Sequence, residues 1–103
     1  MNNKVLIRLY VPELDITYDI YIPVNELIWK IKKMLVKAIS EMSGGLLDTK
    51  REYALINKTT SLPYENNKIV INTDIRNATE LLLISAKTNN EGMVSIELDD
   101  KKD

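Results

Sequence analysis

The groups in this chain that could do chemistry are carboxylates. Asp15 and Asp19 fall on one hairpin, and Asp74 and Glu80 flank a turn. Paired carboxylates can act as general acid and base or hold a divalent cation. Neither pair has the second feature such work needs: no base stands beside it, no metal-ligand spacing extends it, and no glycine-rich loop is placed to cradle a phosphate. Histidine and cysteine are both absent. That removes the usual base near neutral pH, the thiol nucleophile, the thiolate zinc site, the iron–sulfur cluster and the disulfide together. Turn chemistry and solubility account for the four acids. The chain reads as a protein that is not an enzyme, with no cofactor and no metal.

Binding is the other use of reactive side chains, and composition narrows the partners. Fourteen basic residues against fifteen acidic ones leave a net charge of -1, which provides no global field to hold a nucleic-acid backbone or an anionic bilayer. The expected partner is a protein, not a nucleic acid. The first apolar run is interrupted by Arg8 and stopped by Pro12-Glu13, too short for a signal peptide or a membrane span. No direct membrane insertion is expected, and the default location is cytoplasmic. At 103 residues, 45% of them hydrophobic, the chain has the apolar material for one compact domain.

The elements that must position these residues follow from periodicity. Val5, Ile7, Leu9 and Val11 alternate with Leu6, Arg8 and Tyr10. After the turn Pro12-Glu13-Leu14-Asp15, Ile16, Tyr18, Ile20 and Ile22 resume the alternation; two strands with one buried face make a hairpin. Pro23 ends the second strand. Asn25 is placed to cap a helix whose apolar stripe runs Leu27, Ile28, Ile31, Met34, Leu35, Ala38, Ile39 and Met42. Ser43-Gly44-Gly45 supplies a left-handed C-terminal cap near Met42. Residues 51–56 read as a third strand, and 59–64 as a short fourth with Leu62 as core anchor and Pro63 at an edge. Glu80 to Ala86 holds Leu81, Leu82, Leu83 and Ile84, the continuous run of a central fifth strand. The domain boundary is set at 87, so that residues 1–87 form the domain and 88–103 a tail. Within the tail, 93–98 alternate as a sixth strand would, ahead of a charged, solvated end.

Two strands, one amphipathic helix and shorter strands with an apolar strand last describe an α+β layer. The stretch Val70-Ile71-Asn72-Thr73-Asp74-Ile75-Arg76-Asn77-Ala78-Thr79-Glu80-Leu81-Leu82-Leu83-Ile84 resembles the final turn and last strand of ubiquitin-like β-grasp domains. The resemblance covers roughly residues 4–86. It implies a mixed sheet of order 2-1-5-3-4, covered on one face by one long helix, with a C-terminal extension. In that order both edges of the fifth strand are taken, so the tail strand must reach a sheet edge or another molecule, a homodimer mate included.

Conjugated modifiers and sulfur carriers of this superfamily end in a diglycine, whereas this sequence ends Lys101-Lys102-Asp103 and its Gly44-Gly45 sits at a helix end. Among members without a diglycine, the chain looks most like the YukD-like small component of type VII (ESX-like) secretion systems in Gram-positive bacteria. Ile75 to Leu81 keeps that group's turn spacing but has Ala78 where glycine is usual and Thr79 where an acid is usual. The likeness implies a non-catalytic interaction module, an accessory cytoplasmic component whose partner is a membrane-anchored secretion protein. The alternative is a diverged modifier or carrier that needs C-terminal processing.

Two surfaces are expected to do the binding. One is the helix side opposite the apolar stripe, where Trp29, Lys33 and Val36 line up and neighbouring lysines make the face basic; the lone tryptophan is the hot-spot candidate. The other is the outer face of the sheet, where Leu82 and Ile84 would lie beside Leu6 and Tyr10, with Leu55 or Tyr53 next to them according to the register of the third strand.

Overall fold

A computed structural model describes residues 3–88 and 94–96, the last two residues of the first segment and all of the second as backbone. β1 (Lys4–Val11) and β2 (Ile16–Pro23) pair antiparallel, Lys4 opposite Pro23 and Val11 opposite Ile16. The four-residue turn closes when Leu14 and Asp15 donate their amides to the Val11 carbonyl at 3.0 and 2.8 Å. Asp15 takes φ 55°, a left-handed conformation that aspartate tolerates, and its carboxylate accepts the Tyr10 hydroxyl at 2.8 Å. Ile7, Leu9 and Val11 are fully buried, as the alternation requires.

β4 (Glu80–Thr88) is the centre of the sheet. It runs parallel to β1 over Glu80 to Leu82, and antiparallel to β3 (Glu52–Asn57) from Glu52 opposite Ala86 to Asn57 opposite Leu81. The order is therefore β2-β1-β4-β3, which is the expected order with the fourth strand lost. That strand is a single bridge between Pro63 and Ile56. Ser61 turns the chain at φ 63° and Pro63 has no amide to donate. Leu62 is 65% exposed, and Tyr64 is the residue of this loop that packs on the core.

The tail strand behaves differently from expectation. β5 (Val94–Ile96) pairs antiparallel with β4, Ile96 opposite Ala86 and Val94 opposite Thr88. Ala86 already has Glu52 on one side, so β5 occupies the side on which β1 lies. That edge is open because β4 outruns β1, whose pairing stops at Leu82. Of the expected polar connection 87–92, sixth strand 93–98 and charged end 99–103, residues 89–93 and 97–103 lie outside the described residues.

α1 (Ile28–Met42) covers one face. It starts three residues after Asn25, whose side chain caps nothing. The first amides are satisfied by the following loop instead: Ile28 donates to the Lys68 carbonyl at 2.8 Å and Trp29 to that of Asn66 at 3.2 Å. The same loop, ending in a 3₁₀ turn at Val70–Asn72, returns Val70 N–H to Glu26 and Ile71 N–H to Val24. The C-terminus ends as expected near Met42 in a Schellman motif. Gly45 N–H reaches Ser40 O at 2.7 Å, Gly44 N–H reaches Glu41 O at 3.3 Å, and both glycines have positive φ.

The buried arc of α1 is Ile28, Ile31, Leu35, Val36 and Ile39. At about 100° per residue this is rotated toward β3 from the expected stripe. Met34 is consequently 47% exposed and Val36 only 7%. The rotation follows from α1 packing against β3 and closing over Leu47 and Tyr53.

The turn Arg76–Thr79 docks β4 onto β1. Thr79 N–H returns to Arg76 O, Asn77 Oδ1 accepts the Leu6 amide at 2.8 Å, and Ala78 N–H donates to Leu6 O at 2.7 Å. Ala78 sits at φ 72°, at the third turn position, where type II geometry favours glycine because a Cβ crowds the carbonyl. Ala78→Gly should therefore stabilise the fold by about 0.5–1 kcal/mol, the relief exceeding the added freedom of the unfolded chain. A higher urea midpoint at unchanged slope is the expected reading; a lower midpoint would refute it.

Candidate interaction groove

The four acids that opened the sequence reading have structural work or open solvent. Asp15 holds Tyr10, Asp19 pairs with Arg8 across the hairpin at 3.1 Å, and Asp74 accepts the Tyr64 hydroxyl at 2.5 Å. Glu80 is exposed and contributes its carbonyl to Lys58 N–H. Among the described residues, no three of His, Cys, Asp or Glu come together as a metal site, and no helix is long and apolar enough to cross a membrane.

The outer face of the sheet is less open than expected. Leu6, Tyr10 and Leu82 are half-buried, and Ile84 is 3% exposed. Register explains their neighbours: Ala54 stands opposite Ile84 and Ile56 opposite Leu82, while Tyr53 and Leu55 face the core. Tyr10 is further covered by Lys58, whose Nζ lies 5.6 Å from the ring centre.

The helix side is different. A cleft of about 660 Å³ opens between α1 and the start of β3. One wall carries Trp29, Lys32, Lys33, Val36 and Lys37; the other is residues 49–53, with Asn66 at one end. Trp29 is 40% exposed and lies under two ammonium groups, Lys30 and Lys33, each 5.7 Å from the ring centre. Of the expected set, Trp29, Lys33 and Val36 meet here, with Val36 as the cleft floor and not an exposed ridge.

Sequence reasoning missed the opposite wall. Lys50 and Arg51 line the cleft from the connection between α1 and β3; Arg51, expected as the first residue of the third strand, lies just ahead of it. Arg51 is partly matched, its Nη1 lying 3.3 Å from Glu13 Oε2 and 3.4 Å from Ser85 Oγ. Lys32 occupies the buried arc of the helix and donates to the Tyr53 carbonyl at 2.9 Å. Burial pulls its ammonium below the ordinary lysine range, with Glu52 opposing. A lysine at a core-facing angle was the available signal. Five basic side chains thus line the cleft against one acid, Glu52. Lys33, Lys37 and Lys50 make no ion pair among the described residues.

Tyr53 closes the floor and gives Asp48 O its hydroxyl at 2.7 Å. Burial first, then Glu13 and Asp48, push it up to about 12. Tyr64 is pushed up to about 12 by burial and by its bond to Asp74. The folded values lie above the ordinary value near 10, so the folded state holds these protons more tightly. The stability they contribute is full below about pH 10 and is lost as pH rises through 12. Following phenolate absorbance, two of the five tyrosines should ionise only near pH 12, together with loss of structure. Ionisation of all five near pH 10 in the folded protein would contradict both environments.

The ubiquitin-like domain of EccD5 from Mycobacterium xenopi superimposes with a TM-score of 0.67, at 12% identity, over 82% of this chain and 96% of that one. This is the ubiquitin-like β-grasp fold. The ubiquitin-like domain of the type VII secretion protein EccD1 of Mycobacterium tuberculosis gives 0.63 at 14% identity, over 81% of this β-grasp chain and 98% of that one. A chain of the MycP5-free ESX-5 inner membrane complex gives 0.65 at 14% identity; it covers 99% of this chain, which spans only 23% of its length. β-grasp domains described without any secretion system align at 0.60. No family model and no curated protein matches the sequence.

Proposed function

We propose that this β-grasp chain is a non-catalytic protein-interaction module, an accessory cytoplasmic component of a type VII, ESX-like secretion system that docks onto a membrane-anchored member of the machine. The observation that carries the reading is the superposition on EccD ubiquitin-like domains, nearly whole domain on whole domain. The α1–β3 cleft supports it physically: a tryptophan 40% exposed, beside Lys33, Lys37 and Lys50 that make no ion pair among the described residues, is the composition of an interface centre. Trp29 and Lys33 with Val36 beneath them form the docking surface, and Leu6, Tyr10 and Leu82 with the enclosed Ile84 a second, flatter one.

The test is affinity capture by the full chain from detergent-solubilised membranes of its source, read by mass spectrometry. Recovery of a type VII membrane component is the expected result. Recovery of proteins covalently joined to the chain would favour a modifier instead, and capture confined to unrelated soluble proteins would overturn the secretion reading.

A further inference from the structure

We infer that the α1–β3 cleft receives an acidic, extended segment of a partner protein. The inference rests on the module reading and names what the module binds. Three observations converge on it. The first is charge: Lys33, Lys37 and Lys50 face the cleft without ion pairs among the described residues, in a chain whose net charge is -1. The cationic potential is therefore local to the cleft, and an anion there meets three ammonium groups free of ion pairs among the described residues, with Glu52 the one acid of the lining. The second is shape. β3 pairs with β4 along one edge, and on the other the 61–64 loop bonds its downstream half, Tyr64 N–H to Leu55 O at 2.9 Å and Asn57 N–H to Leu62 O at 3.0 Å. The upstream half of that edge borders the cleft, with the Tyr53 carbonyl held there by Lys32. An extended segment fits along this short half, beside the Lys32 ammonium that already holds the Tyr53 carbonyl. The third is Trp29 beside Val36, an apolar seat for one side chain of the segment. Nucleic acid fits less well, because Trp29 is the one exposed aromatic of the lining, Tyr53 being buried, and a net charge of -1 adds no general attraction for phosphates.

Trp29 is the only tryptophan, so its fluorescence reports the cleft directly. The probe is a short peptide of alternating Glu and Val, blocked at both ends, titrated into the full chain. The comparison ligands are its Gln–Val counterpart and single-stranded oligothymidylate. Expected are a saturable emission change with the acidic peptide, affinity falling steeply with salt, and binding at least about tenfold weaker to a Lys33→Glu, Lys37→Glu variant. Both lysines are exposed, so the variant should keep the wild-type melting curve. Lys4→Glu, on the remote β1, should bind as wild type. Equal binding of the Gln–Val peptide, preference for the oligonucleotide, or no response to charge reversal would each overturn the inference. A response that appears only after removal of residues 97–103 would assign the cleft to the chain's own tail and overturn the partner segment as well. Membrane capture separates this from the broader reading. If a type VII component is still recovered by the charge-reversed variant, the cleft is wrong and the module stands. If wild type recovers none while the peptide binds, the cleft stands and the secretion reading falls.

Discussion

Ile84→Glu should cost about 5 kcal/mol or more at neutral pH, most of the stability available to a domain of this size. Ile84 lies on the central strand, opposite Ala54, with 3% of its surface exposed. Losing its burial costs about 2 kcal/mol. The carboxyl must then either stay charged without a partner or be neutralised against an ordinary value near 4.3, which at pH 7 costs about 4 kcal/mol more. The sign follows from the second contribution. Burial raises the carboxyl's folded value above its unfolded one, so the penalty is absent below about pH 4 and grows as pH rises through that interval. Urea titrations should place the variant far below wild type at pH 7 and nearer at pH 4. Ile84→Val should lose only about 1 kcal/mol. A glutamate variant with the wild-type midpoint would mean that this part of the outer face is open to water.

Asn57→Ala should cost about 2–3 kcal/mol without placing any charge in the core. Asn57 is buried at the end of β3, and its amide holds the loop that follows it and backs the Tyr64–Asp74 bond between that loop and the turn before β4. Its Oδ1 accepts the amides of Thr59 and Thr60 at 2.8 and 3.0 Å, and Nδ2 donates to the Tyr64 hydroxyl at 2.9 Å. Tyr64 passes its own proton to Asp74, which also lies 3.5 Å from Nδ2. Alanine leaves the Tyr64–Asp74 pair without its donor and two turn amides without their acceptor, at about 1 kcal/mol each after partial rehydration. Tyr64→Phe alone should cost about 1 kcal/mol. The double variant should fall short of the sum by about 0.5 kcal/mol or more, because the groups act as one network. Strict additivity in unfolding titrations would show that the two loops are held independently.

How far the sequence led can be seen at particular residues. Strands β1, β2 and β4 and the helix end were legible because alternation, the Leu81–Ile84 run and the Gly44-Gly45 cap each reflect one local cause. The helix start was not. Its amides are satisfied by carbonyls at Asn66 and Lys68, about forty positions downstream, and Asn25 offered a local solution that the fold does not use. The Val36 face failed for a related reason: periodicity locates an apolar arc but not the strand that rotates it. The cleft was half legible, through Trp29 and Lys33; Lys50 lies in a connection whose path only the folded chain defines, and Arg51 was read into the third strand without a sign of the face it lines. The tail strand was misplaced because strand order was treated as if neighbouring strands had equal length, whereas β4 extends past β1.

The bond from Leu6 N–H to Asn77 Oδ1 joins residues 71 positions apart, and this has a consequence for synthesis. The ribosome delivers β1, β2 and α1 first, yet the strand that unites them arrives only once the chain has passed Glu80. At about 5–20 residues per second, several seconds separate the hairpin from its partner. During that interval Ile7, Leu9, Val11 and the inner arc of α1 have no β4 to cover them. Loop closure over so long a separation also slows folding after release. Nascent chains halted before Glu80 should therefore be protease-sensitive and bind general chaperones, and those extended through β4 should lose both properties together.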